Sequence, residues 1–226
     1  MPKLLEVIVT SLEEAREAEL GGADRLELVR AFEVGGLTPA PEIVEQVVRA
    51  VSIPVRVMLR ENASMSATDA REIGELQLRA RQLAQFAIDG LVLGFVKDGS
   101  LDLATMGEVL AYVPGCRATL HRAFEHVGDA ATAIQQVKAF PQIDRILTSG
   151  GEGSWPKRKA RLVEWRAAAE PEIRILVGVG LRTSILAEMS HYPEEFEFHA
   201  GRAARIPHTT AGEVRRQEVA KLKALL

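Results

Sequence analysis

The sequence predicts an α/β protein: a closed (β/α)8 barrel of the TIM type, a single domain over residues 1–226. Three observations predict it. Eight short runs rich in aliphatic and β-branched residues alternate with longer runs of helical periodicity. The length, 226 residues, accommodates eight such units near the small end of the barrel range. The turn after the first run reads Val9-Thr10-Ser11, without the glycine-rich turn that marks an open dinucleotide-binding sheet. No linker or low-complexity stretch divides the chain.

Strands are expected at Leu4–Val9, Arg25–Val29, Val55–Arg60, Leu91–Phe95, Arg117–Phe124, Arg145–Ser149, Ile173–Val179 and Glu197–Ala200. Ser11 is placed to cap the first helix, with Glu14 as its capping-box partner, and Gly21-Gly22 to end it. Pro39 and Pro41 open the second helix, with Thr38 as its cap. Thr68–Phe86 is expected to be the longest, followed by Leu103–Tyr112, Ala130–Phe140, Lys157–Ala169, Ser184–Ser190 and Glu213–Leu225.

Bulk composition narrows the function. Hydrophobic residues make up 47% and charged residues 26%, an ordinary globular mixture. The net charge of -3 argues against nucleic acid or an anionic membrane as partner, since both call for a basic face. The opening MPKLLEV carries no basic segment followed by a long apolar run, and no stretch approaches the roughly 20 apolar residues of a membrane span. A cytoplasmic protein is expected. The one cysteine, Cys116, can make neither an internal disulfide nor a thiolate cluster.

Side chains alternate across a strand, so the polar member of each pair marks the barrel interior. This phase points Glu6, Arg25, Glu27, Arg56, Met58, Arg60, Thr119, His121, Glu197 and His199 inward. Barrel interiors are usually packed with branched apolar residues, and buried ions cost several kcal/mol unless paired. One reading is a set of structural Glu–Arg pairs. The other is a polar pocket at the end of the barrel where the strands finish, the usual place for barrel active sites.

Several strand ends carry residues with chemistry. Gly35-Gly36-Leu37-Thr38-Pro39 follows the second strand, and as a loop needs no function beyond a tight turn. His121-Arg122-Ala123-Phe124 ends the fifth, where His121 suits a general base or metal ligand and Arg122 an anion grip. Thr148-Ser149-Gly150 and Gly178-Val179-Gly180 end the sixth and seventh; their small residues suit an anion-binding concavity or merely a sharp bend. Glu6, Glu27, His121 and His199 are of the types that hold a divalent ion, although no His-Glu-x-x-His spacing occurs.

Taken in order, these segments resemble the CutC family. They are Leu4-Leu5-Glu6, Gly22-Ala23-Asp24-Arg25-Leu26-Glu27-Leu28, Gly35-Gly36-Leu37-Thr38-Pro39, Ile53-Pro54-Val55 with Arg60, His121-Arg122-Ala123-Phe124, Arg145-Ile146-Leu147-Thr148-Ser149-Gly150 and Glu197-Phe198-His199. The resemblance implies a cytoplasmic (β/α)8 barrel, a homodimer or larger homo-oligomer, with a role in copper homeostasis and copper ion binding at the mouth. The sequence departs from the family where bacterial members often carry cysteines: those places hold Ile8, Val9 and Val29. Copper(I) prefers thiolate and thioether ligands, and Cys116 lies before the fifth strand, at the other end of the barrel.

Two functions follow. One is a copper-homeostasis protein with a metal held by His121, His199 and Glu27. The alternative is an isomerase, lyase or hydrolase acting on a small anionic or sugar-like metabolite. In it Glu27 and His121 form the acid–base pair, and Glu6, Arg60, Arg122, Thr148, Ser149, Gly150, Gly178 and Gly180 bind substrate or anion. A third, an interaction protein, would use Leu186, Met189 and Tyr192 on an outer helix as a dimer surface.

Overall fold

The computed structural model describes residues 3–67, 69–192 and 195–226. The chain alternates strand and helix: β1 (Leu5–Val9), α1 (Leu12–Leu20), β2 (Arg25–Leu28), α2 (Pro41–Ala50), β3 (Val55–Met58), α3 (Ala70–Leu83), β4 (Gly90–Leu93) and α4 (Leu103–Leu110). The second half continues with β5 (Arg117–Leu120), α5 (Ala130–Val137), β6 (Ile143–Thr148), α6 (Trp155–Ala169), β7 (Arg174–Val177), α7 (Thr183–Ser190), β8 (Glu197–Ala200) and α8 (Arg216–Lys223). Each strand pairs in parallel with its neighbours in sequence, and β8 pairs with β1 to close the barrel.

Helix starts follow local chemistry. Ser11 Oγ accepts the Glu14 N–H, and Asp69, Asp102 and Asp129 accept equivalent bonds at α3, α4 and α5. Three expectations are corrected. Glu14 does not complete a capping box on Ser11; its carboxylate accepts from the Thr10 N–H and pairs with buried Arg205. Thr38 does not cap α2, whose cap position is Ala40; its hydroxyl bridges the Arg60 N–H and C=O instead. The longest helix is α6 at 15 residues, one more than α3, and the expected start at Thr68 lies outside the described residues. Several strands leave the sheet two or more residues before their expected ends: β4 stops at Leu93 and β7 at Val177. β3 stops at Met58, and β5 stops at Leu120 before a 3-10 turn over Arg122–His126.

The alternation of faces sorts the core in two. Leu5, Val7, Val9, Leu26, Leu28, Val55 and Val57 belong to the large cluster between barrel and helices. Ile8, Val29, Met58 and Val92 form a separate small cluster. These four share the inward strand phase, so the second cluster sits inside the barrel. Leu186 and Met189 belong to the large cluster and are fully buried, so they offer no dimer surface.

Below the inner apolar cluster the barrel is filled with charge. Arg25 donates to Glu6 at 2.5 Å and to Glu197 at 2.8 Å, and Arg145 grips Glu197 at 2.6 and 3.0 Å. Arg145 also reaches Asp144, and Arg56 binds Asp144 through two nitrogens, Asp89 through a third contact and the Thr119 hydroxyl. Every acid is bonded to more than one donor or shared between arginines, which is what lets Arg56 sit at 0% exposure.

Arg56→Ala removes one partner and leaves Asp144 and Asp89 facing each other with less compensation. The expected loss is about 3–5 kcal/mol, measured by urea unfolding. Burial alone would raise the Asp144 carboxyl, but its bond to Arg56 holds it below its ordinary 3.8. The stabilisation is therefore complete above that ordinary value and is lost as pH falls through the lowered one. The gap between wild type and Arg56→Ala should close toward acid; a gap independent of pH would contradict the network.

Candidate active site at the barrel mouth

Above the charged floor, the strand ends surround a cavity of about 1010 Å³. Glu27, His199, Arg60, His121 and Arg122 line it, together with Gly180. Of the expected site residues, Glu6 lies just beneath, one register step below Ile8. Thr148, Ser149, Gly150 and Gly178 are not part of the lining.

Glu6, Glu27 and His199 form one cluster, with ligand atoms within 4.8 Å of one another. The His199 Nδ1–H donates to Glu6 Oε1 at 2.8 Å and lies 3.3 Å from Glu27 Oε2. Burial would raise Glu6, but Arg25 and His199 outweigh it and hold the carboxyl far below the usual range. Glu27 has no such arginine bond, and burial pushes it up to about 7. Burial opposes the charged form of His199, yet Glu27 and Glu6 raise it overall. Glu27 is thus the carboxyl of the cluster held closest to neutrality, beside a His199 whose charged form is favoured by both acids and a Glu6 held ionised well below the usual range.

His121 is different from His199. Its Nδ1 accepts the Ala123 N–H at 3.2 Å, which places the ring proton on Nε2. Burial and the adjacent Arg60 push its pKa down to about 3, so the ring stays neutral. Nε2 is buried without a hydrogen-bond partner among the described residues. Nδ1 is engaged, and His121 stands outside the carboxylate–imidazole cluster. In this arrangement the imidazole presents a neutral Nε2–H, and the expected roles of general base and metal ligand find no partner for it in the Glu6–Glu27–His199 cluster.

The loop after β6 has its anion already, and it is part of the chain. Glu125 Oε1 accepts from Thr148 Oγ1 at 2.9 Å, Ser149 N at 2.5 Å and Ser149 Oγ at 2.6 Å, while the Gly150 N–H goes to Thr148 Oγ1. The segment expected to form an anion-binding concavity ties the 3-10 turn that carries Arg122 and Ala123 to β6. Gly178 is packed from two sides: a Cβ there would meet Leu147 Cδ1 at 2.5 Å and His199 Cβ at 3.0 Å. Between Gly178 and Gly180, Val179 is held at φ 52°, a strained conformation for a β-branched residue.

Arg182 and Arg202, in the loops after β7 and β8, also line the cavity and have no acidic partner among the described residues. Sequence reasoning did not assign them a role. Their position just past two strand ends was the available signal.

A family model described as the CutC family matches residues 3–203. The chain belongs to the CutC family. A CutC protein of Caulobacter vibrioides is 32% identical over 205 residues, covering 90% of this chain and 83% of that one. A human relative named as a copper homeostasis protein cutC homolog is 31% identical over 218 residues, covering 96% and 79%. The crystal structure of the Streptococcus agalactiae CutC protein superposes with a TM-score of 0.79 at 22% identity, covering 88% of this chain and 98% of that one. At that identity the superposition speaks for the CutC barrel alone. No described helix is long and apolar enough to cross a membrane.

In carboxyl-carbon NMR, Glu27 should titrate with a midpoint near 7 while Glu6 stays ionised below its ordinary 4.5. A Glu27 midpoint at the ordinary carboxylate value would remove the buried acid from this site. Nitrogen NMR of His121 should show the neutral Nε2–H form from about pH 5 to about pH 8. Glu125→Ala should loosen the turn that supplies the Ala123 N–H and mix the two tautomers.

Proposed function

We propose that this CutC-family chain is a small-molecule enzyme whose barrel mouth binds an anionic metabolite and moves a proton with Glu27. The observation that carries the reading is a cavity walled by arginines without acidic partners among the described residues, with a buried carboxyl, Glu27, whose pKa burial pushes up to about 7. A base near neutral pH removes a proton beside a carbonyl and returns it to a neighbouring atom. His199 Nδ1 lies 3.3 Å from the Glu27 carboxylate, close enough for its charge to act on that proton. His121 supplies an uncharged N–H to a substrate oxygen, which a cationic imidazole would deliver less selectively. The reaction class supported is isomerisation or aldol-type cleavage.

Proton exchange into deuterated water by pooled oxo acids and sugar phosphates tests it. Glu27→Gln should slow the exchange by about 10²-fold or more, and His121→Ala by less. Exchange unaffected by Glu27→Gln would end the reading.

A second reading follows from the name of the human relative. The mouth offers copper(I) the Met58 thioether but no thiolate: Cys116 precedes β5 at the opposite end, half-buried and with its thiol pushed up by burial. The Glu6–Glu27–His199 set has the ligand types for a borderline divalent ion, including copper(II). Both Glu6 oxygens are engaged, by Arg25 and His199, so Glu27 and His199 would carry that role. Copper titration against a competing chelator tests it. Binding should persist in Cys116→Ser and disappear in His199→Ala. A cytoplasmic, homo-oligomeric protein is carried into both readings; a single free thiol is in keeping with a reducing compartment.

A further inference from the structure

Each buried arginine of the lower barrel has a carboxylate. Arg25 has Glu6 and Glu197, and Arg56 has Asp144 and Asp89; past the end of β8, buried Arg205 likewise has Glu14. Arg60 and Arg122 depart from this pattern. Arg60, two residues past the end of β3, is only 4% exposed. Its guanidinium is held by backbone carbonyls alone: Ser64 O at 3.1 Å, Gly36 O at 3.1 Å and Ala63 O. Arg122 has a buried Nε with no partner and no acid in reach among the described residues.

The two guanidinium groups converge. A Cβ added at Gly35 would lie 2.8 Å from Arg122 Nη2 and 3.4 Å from Arg60 Nη1. Gly35 has φ +90° and no side chain to crowd the two cations, and all three residues line the cavity. The charge of Arg122 acts directly on Arg60, and both act on His121, whose Nε2–H is buried and unused. Two like charges, of which Arg60 is held by carbonyl dipoles, and a neutral donor form an arrangement completed by an oxyanion with several acceptor oxygens.

We propose that Arg60, Arg122 and His121 form a clamp for an oxyanion group, carboxylate or phosphate, of the molecule that enters the mouth. This deepens the small-molecule reading by naming the part of the ligand that is recognised. The anionic end sits against the 3-10 turn and the Gly35 loop, which leaves the remainder of the ligand to face Glu27 and His199. Glu125 belongs to the same design as a positioning residue, because its bonds to the β6 end fix the turn from which Arg122 projects.

Inorganic phosphate and succinate, each titrated into the whole protein at matched ionic strength with chloride as control, test the clamp. The probes should shift the side-chain nitrogen resonances of His121 Nε2 and Arg122 Nε, and the stronger of the two identifies the group preferred. Arg122→Gln, at a partly exposed position, should weaken binding at least tenfold while the thermal midpoint stays within a few degrees. Absence of a shift with both probes, or equal binding by Arg122→Gln, overturns the clamp. Glu27 titrates independently of these probes. Clamp binding with an ordinary Glu27 would sink the proton-transfer reading alone, and a Glu27 midpoint near 7 without clamp binding would sink the clamp alone.

Discussion

The structure depends on one constraint: charge inside a barrel must be matched where water cannot reach it. Arg56 and Arg25 are almost fully buried, and each is bound by carboxylates from other strands. Isolated, either would cost several kcal/mol; linked through shared acids, they close the lower barrel as a polar plug. The lattice runs Glu6–Arg25–Glu197–Arg145–Asp144–Arg56–Asp89, so that no single pair stands alone. This is the role that stacked aliphatic layers fill in most barrels of this kind.

Matching stops partway up. Glu6 belongs to both worlds, ionised by Arg25 below and bonded to His199 above. Glu27, one residue pair higher on β2, has no arginine bond and keeps its proton to near neutrality. Beyond the inner cluster of Ile8, Val29, Met58 and Val92, the balance reverses, and Arg60 and Arg122 reach the cavity without acids of their own. A floor of paired charge, a titratable middle and a cationic rim follow from where along each strand the carboxylates run out.

The CutC family connects this barrel with proteins named for copper homeostasis, yet the ligand chemistry at its mouth is hard and borderline. Oxygen and imidazole atoms gather there, while the thiol is at the far end. The loops refine the site further. Glu125 fills the concavity after β6 with the chain's own carboxylate, which converts an apparent ligand loop into a brace for the turn bearing Arg122.

The eight-unit barrel, the inward phase of Glu6, Glu27, Arg56, His121 and His199, and the cysteine-poor mouth were legible in the amino-acid sequence. Strand alternation and βα spacing are local, short-period signals, and they suffice to say which face each residue takes. Partnership was not legible, because it joins residues such as Arg56 and Asp144 or Glu6 and His199 that only barrel closure brings together. The same limit applies to His121. Its residue type and strand-end position suited a base or a ligand, whereas its tautomer and charge were decided by the Ala123 N–H and by Arg60. Proton affinity depends on burial and on neighbouring charge, both properties of the folded surroundings and neither of them written at a single position in the chain.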